Sequence, residues 1–414
     1  MLPVLKSSFL RNVSILTGGT LFSQVLTVLA LPLLTRLYTP ADFDLLAVYM
    51  AVIGIVTVVA SLRYNIAIPL PEDDANGMGL LTLSLICAAF VSLLMAIPFL
   101  LMPEAIAGWI RQPAMAPYLW MVPAGIFFAA IYNALQYWAS RQKRFGLVTR
   151  TRIMRSMGGV GTQVMIGTIS PSPFGLIFGH MLYGGLGIIA LLRDIWRQDR
   201  APLMALRWAK IRQLCISYRR FPIWSVPEAL FNTAGVQLPI VLIAAIAAGP
   251  EAGFLMLAMR VLGLPMGLVG ASVAQVFLAE APAKLSDGTL RVFTRQTMMT
   301  LLRIGAPPLA LVGVLSPFLF STIFGADWAR AGWLVAWMTP WFILQFVASP
   351  VSMVLHVTGQ VATAMWLQAF GLFLRVGSVI GAMYLWPDRV AEVFAVTTAF
   401  FYLLYLWVIL RCLK

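Results

Sequence analysis

The sequence predicts an all-α polytopic membrane protein with twelve spans. Composition is the first ground: 61% of the 414 residues are hydrophobic, 11% are charged, and mean hydropathy is +0.89. A soluble domain so composed would expose contiguous apolar patches well beyond what monomers tolerate. Repetition is the second: apolar runs of about 20 residues, the length that crosses a bilayer, recur along the whole chain. The third is that no stretch between those runs is long enough for a soluble domain.

Taken in order, the expected spans are 12–34, 43–62, 79–101, 117–139, 147–169, 174–192, 223–247, 252–278, 299–320, 332–355, 361–384 and 391–411. The start, MLPVLKSSFLRN, leads straight into the first run and carries no cleavable signal pattern. The longest loop divides the spans six and six. The expected organisation is an N-terminal lobe over 1–192, a basic linker over 193–222 and a C-terminal lobe over 223–414. The linker holds RWAKIRQLCISYRRF. That segment reads as an amphipathic helix on an anionic leaflet or, more simply, as a charged connection with ordinary lipid contacts.

The two halves echo each other. Leu31-Pro32 is followed by Pro40 and Phe43, and Leu238-Pro239 by Pro250 and Phe254. Proline inside a span removes a backbone hydrogen bond and favours a bend, so Pro32 and Pro239 are candidate hinges. Internal repeats are a common transporter architecture, with the substrate held between repeats near the bilayer midplane.

The formal charge of +14 would suggest nucleic acid as the partner of a soluble protein. Here it reads as topology, and no nucleic-acid partner is expected. With the N-terminus in the cytoplasm, the inside loops and ends hold Lys6, Arg11, Arg63, Arg141, Lys143 and Arg144. They also hold Arg193, Arg197, Arg200, Arg207, Lys210, Arg212, Arg219 and Arg220, then Lys284, Arg291, Arg295, Arg411 and Lys414. The outside holds only Arg36, Arg111, Arg330 and Arg389. Nineteen against four selects this orientation by the positive-inside rule, with both ends cytoplasmic.

Cys87, Cys215 and Cys412 are far apart, with neither zinc spacing nor a disulfide framework. His180 reads as a packed helix histidine and His356 as a span-end residue. No metal and no cofactor are expected.

The informative residues are arginines inside the spans. A charge at the bilayer centre costs roughly 2.5–3.5 kcal/mol on insertion scales and usually faces a bundle interior or a watery cavity. Arg260, in AGFLMLAMRVLGLPMGLVG, lies about 14 Å into the eighth span at helical rise. Arg155 is as deep in the fifth, with Arg152 one turn shallower on the same face. Arg375 lies deep in the eleventh. Arg150, Arg303 and Arg63 sit nearer span ends, where snorkelling explains them. No acid lies at true mid-depth; Glu228, near the start of the seventh span, is the one candidate for coupling. Arginine does not shed its proton. Arg155, Arg260, Arg375 and Arg152 therefore predict a hydrated cationic cavity for an anion, and diphosphate suits guanidinium forks. Tyr132, Asn133, Gln136 and Tyr137 form a polar stripe on the fourth span, and Asn232 and Gln237 on the seventh. Such stripes contact sugars or glue helices together.

Four stretches support a family resemblance: LPLLTRLYTPADFD (31–44), SLRYNIAIPLPEDDANG (61–77), LQYWASRQKRF (135–145) and FGADWARAGWLVAWMTPWFILQFVASP (324–350). A fifth runs from FPIWSVPEALFNTAGVQLP to GASVAQVFLAEA within 221–281. In this order, over twelve spans, the chain resembles the oligosaccharide flippases: the O-antigen and polysaccharide repeat-unit translocases of the multidrug/oligosaccharidyl-lipid/polysaccharide exporter superfamily. The resemblance implies two six-helix lobes in a V around a central cavity, as in multidrug and toxin extruders. It implies an undecaprenyl-diphosphate-linked oligosaccharide as substrate, moved from the inner to the outer leaflet of the bacterial inner membrane for lipopolysaccharide or exopolysaccharide synthesis. A monomer is expected, with a polysaccharide polymerase and assembly proteins as partners. Arg260 matches the arginine of the span-eight pattern, and Arg63 with Tyr64 matches an Arg-Tyr-Glu pattern in span two. Asn65 stands where that pattern has its acid. If the acid couples a cation gradient in relatives, this chain couples differently or not at all.

Other classes fit less well. A membrane glycosyltransferase, polymerase or ligase needs positioned acids or bases at the membrane face, usually on a sizeable outside loop, and the outside loops are short. A multidrug cation exporter should carry cavity acids, and only Glu228 qualifies. A peptidoglycan-precursor flippase is closer, but two further spans common in that group are not evident. No covalent step is required of the expected protein, so an enzyme is not expected.

Overall fold

The computed structural model describes residues 18–204, 206–247 and 249–413. Residues 12–17 of the first expected span, with Lys6, Arg11 and Lys414, lie outside the described residues, as does the side chain of His356. Among the described residues every regular element is helical. In chain order they are α1 (18–29), α2 (Leu31–Leu37), α3 (Pro40–Ala60), α4 (Tyr64–Ala67), α5 (Asp74–Leu101), α6 (Pro103–Trp109) and α7 (Met121–Arg141). Then come α8 (Phe145–Ile169), α9 (Pro173–Gly185), α10 (Ile188–Gln198), α11 (Arg200–Met204), α12 (Trp208–Ser217), α13 (Val226–Ile246) and α14 (Glu251–Leu262). The last six are α15 (Ala271–Ser286), α16 (Leu290–Phe324), α17 (Ala329–Val351), α18 (Val354–Val357), α19 (Val361–Leu385) and α20 (Val390–Cys412).

Nine of the described helical segments are long and apolar enough to cross a membrane. Of the other three expected spans, α7 with its Asn133 and Gln136 and α8 with Arg150, Arg152 and Arg155 are helical but more polar, and the eighth is broken into α14 and α15, of 12 and 16 residues. The chain is a multi-pass membrane protein.

Several spans are not single rods. The first breaks at Ala30, two residues before Pro32. Pro239, by contrast, lies inside the continuous α13. The second ends at Ala60, and Leu62 (φ 48°) and Arg63 (φ 62°) then take left-handed backbone before α4 begins. Non-glycine residues rarely adopt that region, and two in succession mark a strained corner. The eighth span stops at Leu262 and passes through Gly263 and Pro265 into a π-turn at Met266–Gly270. Pro265 has no N–H to continue the ladder. The ninth extends beyond expectation: α16 runs 35 residues from Leu290.

The chain forms two compact units. One comprises the described residues before Leu31 together with Tyr49–Thr233; the other comprises Leu31–Val48 and the chain from Ala234 onward.

In the first unit, Leu80, Leu81, Leu135, Trp138, Val148 and Leu191 form a core that Ile211 and Leu214 of α12 complete. The basic linker is therefore not a loose connection. Its fastening is polar and buried. Trp138 Nε1 donates to Asp199 Oδ2 at 2.9 Å, and Arg144 holds both Asp199 (2.6 Å) and Asp194 (2.5 Å). Burial opposes the charge on Arg144, but the hydrogen bonds to Asp199 and Asp194 raise its pKa above the ordinary value. Asp73 caps α5 by accepting the Ala75 N–H at 3.0 Å. That bond, with help from Lys210, lowers its carboxyl below the usual range.

In the second unit, α16 and α17 approach through small residues, as membrane helices commonly do. Gly305 faces the Phe346 ring and Gly313 faces Thr339, while Ser316 Oγ donates to the Gly332 carbonyl at 2.9 Å. The segment Leu31–Val48 is built into this unit. Trp328 Nε1 donates to the Thr35 carbonyl at 3.0 Å, the Trp328 ring meets Phe43 edge-on at 4.8 Å, and the Gly253 N–H donates to Asp44 at 3.1 Å. Arg330 bridges Glu251 (3.0 Å) and Glu392 (2.7 Å), tying α17 to the first turns of α14 and α20.

Candidate functional site

The arginines of α8 have contrasting surroundings. Arg152 Nη1 donates to Thr20 Oγ1 at 2.6 Å. Arg155 lies between two rings, its guanidinium carbon 3.6 Å from the Tyr132 ring centre and 4.2 Å from that of Tyr183. Its Nε donates to the Tyr183 carbonyl at 2.6 Å. Tyr132 is itself fixed by burial and by a 3.1 Å hydroxyl contact with Thr151. The clamp depends on α8 and α9 lying close. Gly159 and Gly179 face each other there, and a Cβ on either would meet the other's carbonyl oxygen or the side chains of Tyr183 and Gln163. A guanidinium gripped by its faces and by Nε has its plane, and with it both Nη groups, held in one orientation, and that planar fork suits a phosphate.

A second cluster in the same unit gathers around the strained corner. Arg63 lies within electrostatic reach of Tyr137 on α7 and Glu228 on α13, and its Nε is buried without a hydrogen-bond partner. Asn133 and Tyr137 are exposed on one face of α7 with Gln136 half-buried beside them, whereas Tyr132 points the other way, into the core. The expected four-residue stripe thus divides between two faces. Asn232 is exposed and Glu228 half-buried on the first turns of α13. Tyr64 turns inward and donates to the Cys215 carbonyl at 3.2 Å, which anchors α12. Asn65 Oδ1 accepts from Ser61 at 2.9 Å.

In the second unit Arg260 occupies the last turn of α14, half-buried, just before the break at Gly263. The negative end of the helix dipole favours a cation there. Gln237 is half-buried on α13. Arg375 is enclosed: 1% exposed, its guanidinium 4.0 Å from the Phe401 ring centre and 5.6 Å from that of Tyr402. Its Nε and Nη1 have no hydrogen-bond partner. The space exists because residue 235 is glycine, since a Cβ there would stand 2.8 Å from Arg375 Nη1. The structure thus brings Arg155 together with Tyr132, and Arg63 with Glu228, within the first unit, and places Arg260, Arg375 and Gln237 in the second.

Sequence reasoning missed Tyr183 and the Arg330 bridge. Tyr183 lies 28 residues from Arg155, and its only sequence signal is a tyrosine three residues after His180 in an otherwise apolar helix. Arg330 was counted for topology alone. Among the described residues, no three His, Cys, Asp or Glu side chains gather in a group that could hold a metal ion.

An all-helical membrane fold with these breaks is a known one. The solved lipid II flippase MurJ, in an inward closed conformation, superposes with a TM-score of 0.71 at 14% identity, covering 95% of this chain and 87% of that one. The MATE transporter VcmN of Vibrio cholerae gives 0.63 at 12% identity, covering 98% and 97%. An inward-facing multidrug resistance MATE family transporter of the MOP superfamily gives 0.59 at 14%, covering 96% and 95%. At such identities the likeness establishes the fold alone. The family model described as polysaccharide biosynthesis protein matches residues 33–332, and the chain belongs to that family. A comparison with curated protein sequences returns no match.

Proposed function

We propose that the protein flips an undecaprenyl-diphosphate-linked oligosaccharide repeat unit from the cytoplasmic to the periplasmic leaflet of the bacterial inner membrane. The observation that carries the reading is the clamped Arg155, a rigid cation in a membrane helix that pairs with no carboxylate among the described residues. Membership of a polysaccharide biosynthesis family supports the sugar-bearing substrate. Lipid II, the substrate in the name of MurJ, supports a lipid-linked one.

The physical obstacle is the head group. The idealised Born cost of taking one small ion into hydrocarbon is of order 20 kcal/mol; the lipid tail meets no such barrier. In the proposed mechanism the diphosphate enters an inward-open cavity while the tail stays in lipid. Arg155, Arg152 and Arg260 hold the phosphates, and Arg63, Asn133, Gln136, Asn232 and Gln237 meet sugar or phosphate oxygens. Arg375 takes part only after its enclosing helices move. Two six-helix lobes, 1–192 and 223–414, then exchange inward and outward openings, with bending at Pro32 and Pro239. Glu228 beside Arg63 is the group through which a cation gradient would act. Both termini face the cytoplasm, the chain works as a monomer, and a polymerase and assembly proteins take its product. No bond is made or broken.

The test is binding and flipping of undecaprenyl-diphosphate oligosaccharide by purified protein in proteoliposomes. Arg155→Gln and Arg260→Gln are each expected to remove the diphosphate-dependent part of binding, about tenfold or more for a lost charge-assisted pair. Unchanged binding and flipping in the double variant sinks the reading. The MurJ likeness favours one second reading, a peptidoglycan precursor as substrate; faster flipping of lipid II than of the oligosaccharide lipid would establish it.

A further inference from the structure

The first four turns of α16 carry arginines that the flipping reading does not use. Arg291, Arg295 and Arg303 fall at intervals of four and eight residues, so they share one helix face. With Val292, Gln296, Met299 and Thr300 they line a furrow of about 600 Å3. All three arginines are exposed, and among the described residues none makes an ion pair. Asp287, the nearest acid in sequence to Arg291, is exposed and joins none of them. Elsewhere in the chain Arg141, Arg144 and Arg330 each take a carboxylate. The first turn of α16 also has no acid, so Arg291 faces the positive end of the helix dipole. Such a face calls for an anion from outside the chain.

The length of α16 says where that anion lies. Its 35 residues span about 52 Å at helical rise, against roughly 30 Å of hydrocarbon. With the hydrocarbon over 299–320, Arg295 stands about 6 Å outside the boundary and Arg291 about 12 Å outside. Arg303, about 6 Å inside, reaches back to the interface on its own stem. Below them the same helix turns Ile304, Leu311, Val314 and Phe318 outward, each more than half exposed, as a surface against acyl chains does. We propose that the Arg291–Arg295–Arg303 face binds the phosphate of an anionic membrane phospholipid, with Gln296 and Thr300 as further donors and Val292 and Met299 against its glycerol and upper chains. The site is separate from the substrate's, and holds a resident lipid at the foot of α16.

The test is native mass spectrometry of the full chain in detergent, titrated with phosphatidylglycerol and with phosphatidylethanolamine. The wild type is expected to prefer phosphatidylglycerol. The triple variant Arg291→Gln, Arg295→Gln, Arg303→Gln should bind it roughly a hundredfold more weakly, at about fivefold per arginine near a membrane surface. A variant with the same charge change on the linker (Arg197→Gln, Arg212→Gln, Arg219→Gln) should stay within about twofold of wild type, which separates a site from net charge. Equal binding of the two lipids by wild type, or equal loss in both triple variants, overturns the proposal. So does displacement of phosphatidylglycerol by millimolar inorganic diphosphate, which would mark a soluble-anion site. Should the α16 variant fail to fold, wild-type binding read across salt decides: a phosphate contact weakens steeply with ionic strength, and a flat response overturns it.

Discussion

At the scale of single residues, the chain treats its arginines in two ways. Arg141, Arg144 and Arg330 are paired with carboxylates; Arg155 and Arg375 rest on aromatic faces. Removing a paired arginine leaves half-buried acids uncompensated. Arg330→Met strands Glu251 and Glu392 and is expected to cost about 3 kcal/mol, seen as a lower melting temperature in detergent with substrate binding unchanged. Removing a ring-held arginine should do the reverse. Arg155→Gln is expected to melt within a few degrees of wild type, while Tyr132→Ala, which keeps the charge but loosens its geometry, lowers diphosphate binding severalfold. Isothermal titration separates the two: a Tyr132→Ala variant that binds like wild type means the clamp is packing and nothing more.

Among the helices, spacing set by glycine decides whether such side chains meet at all. Gly179→Leu is expected to push α9 from α8 and carry Tyr183 off Arg155. Loss of both thermal stability and diphosphate affinity, measured together, is the expected result; a normal affinity would uncouple the helix contact from the site. The linker makes a similar case. Asp199→Ala removes the carboxylate that Trp138 and Arg144 share, leaving Arg144 with Asp194 and α12 with its apolar contacts, so the linker around α11 should loosen. Limited trypsin digestion at Arg200 and Arg207 is expected to quicken at least about tenfold. These elements also show what was legible in the sequence. Apolar runs located the nine described segments long enough to cross a membrane, because hydrocarbon thickness fixes their length, although α16 begins nine residues before its expected span. Deep arginines stood out because the charge is expensive there. The corner at Leu62–Arg63 and the docking of the linker were not legible. The first rests on left-handed backbone at residues with no intrinsic taste for it. The second rests on the contact between Trp138 and Asp199, 61 residues apart, which no local pattern records. Tyr64 matched its motif but turned inward, since motif position fixes a backbone site and packing fixes the side chain's direction.

For the whole molecule, the two compact units do not coincide with the two halves of the sequence: Leu31–Val48 packs with the chain from Ala234 onward. Thr35 waits for Trp328, 293 residues later. At about 5–20 residues per second of synthesis, that is roughly 15–60 seconds during which the first helical hairpin has left the ribosome without its neighbour. Throughout that interval Tyr38, Phe43 and Asp44, all buried in the finished protein, face lipid or the insertion machinery instead. The nascent chain is therefore most vulnerable to quality-control proteolysis at its beginning, and a ribosome stalled anywhere before Trp328 should yield a fragment degraded from that hairpin inward.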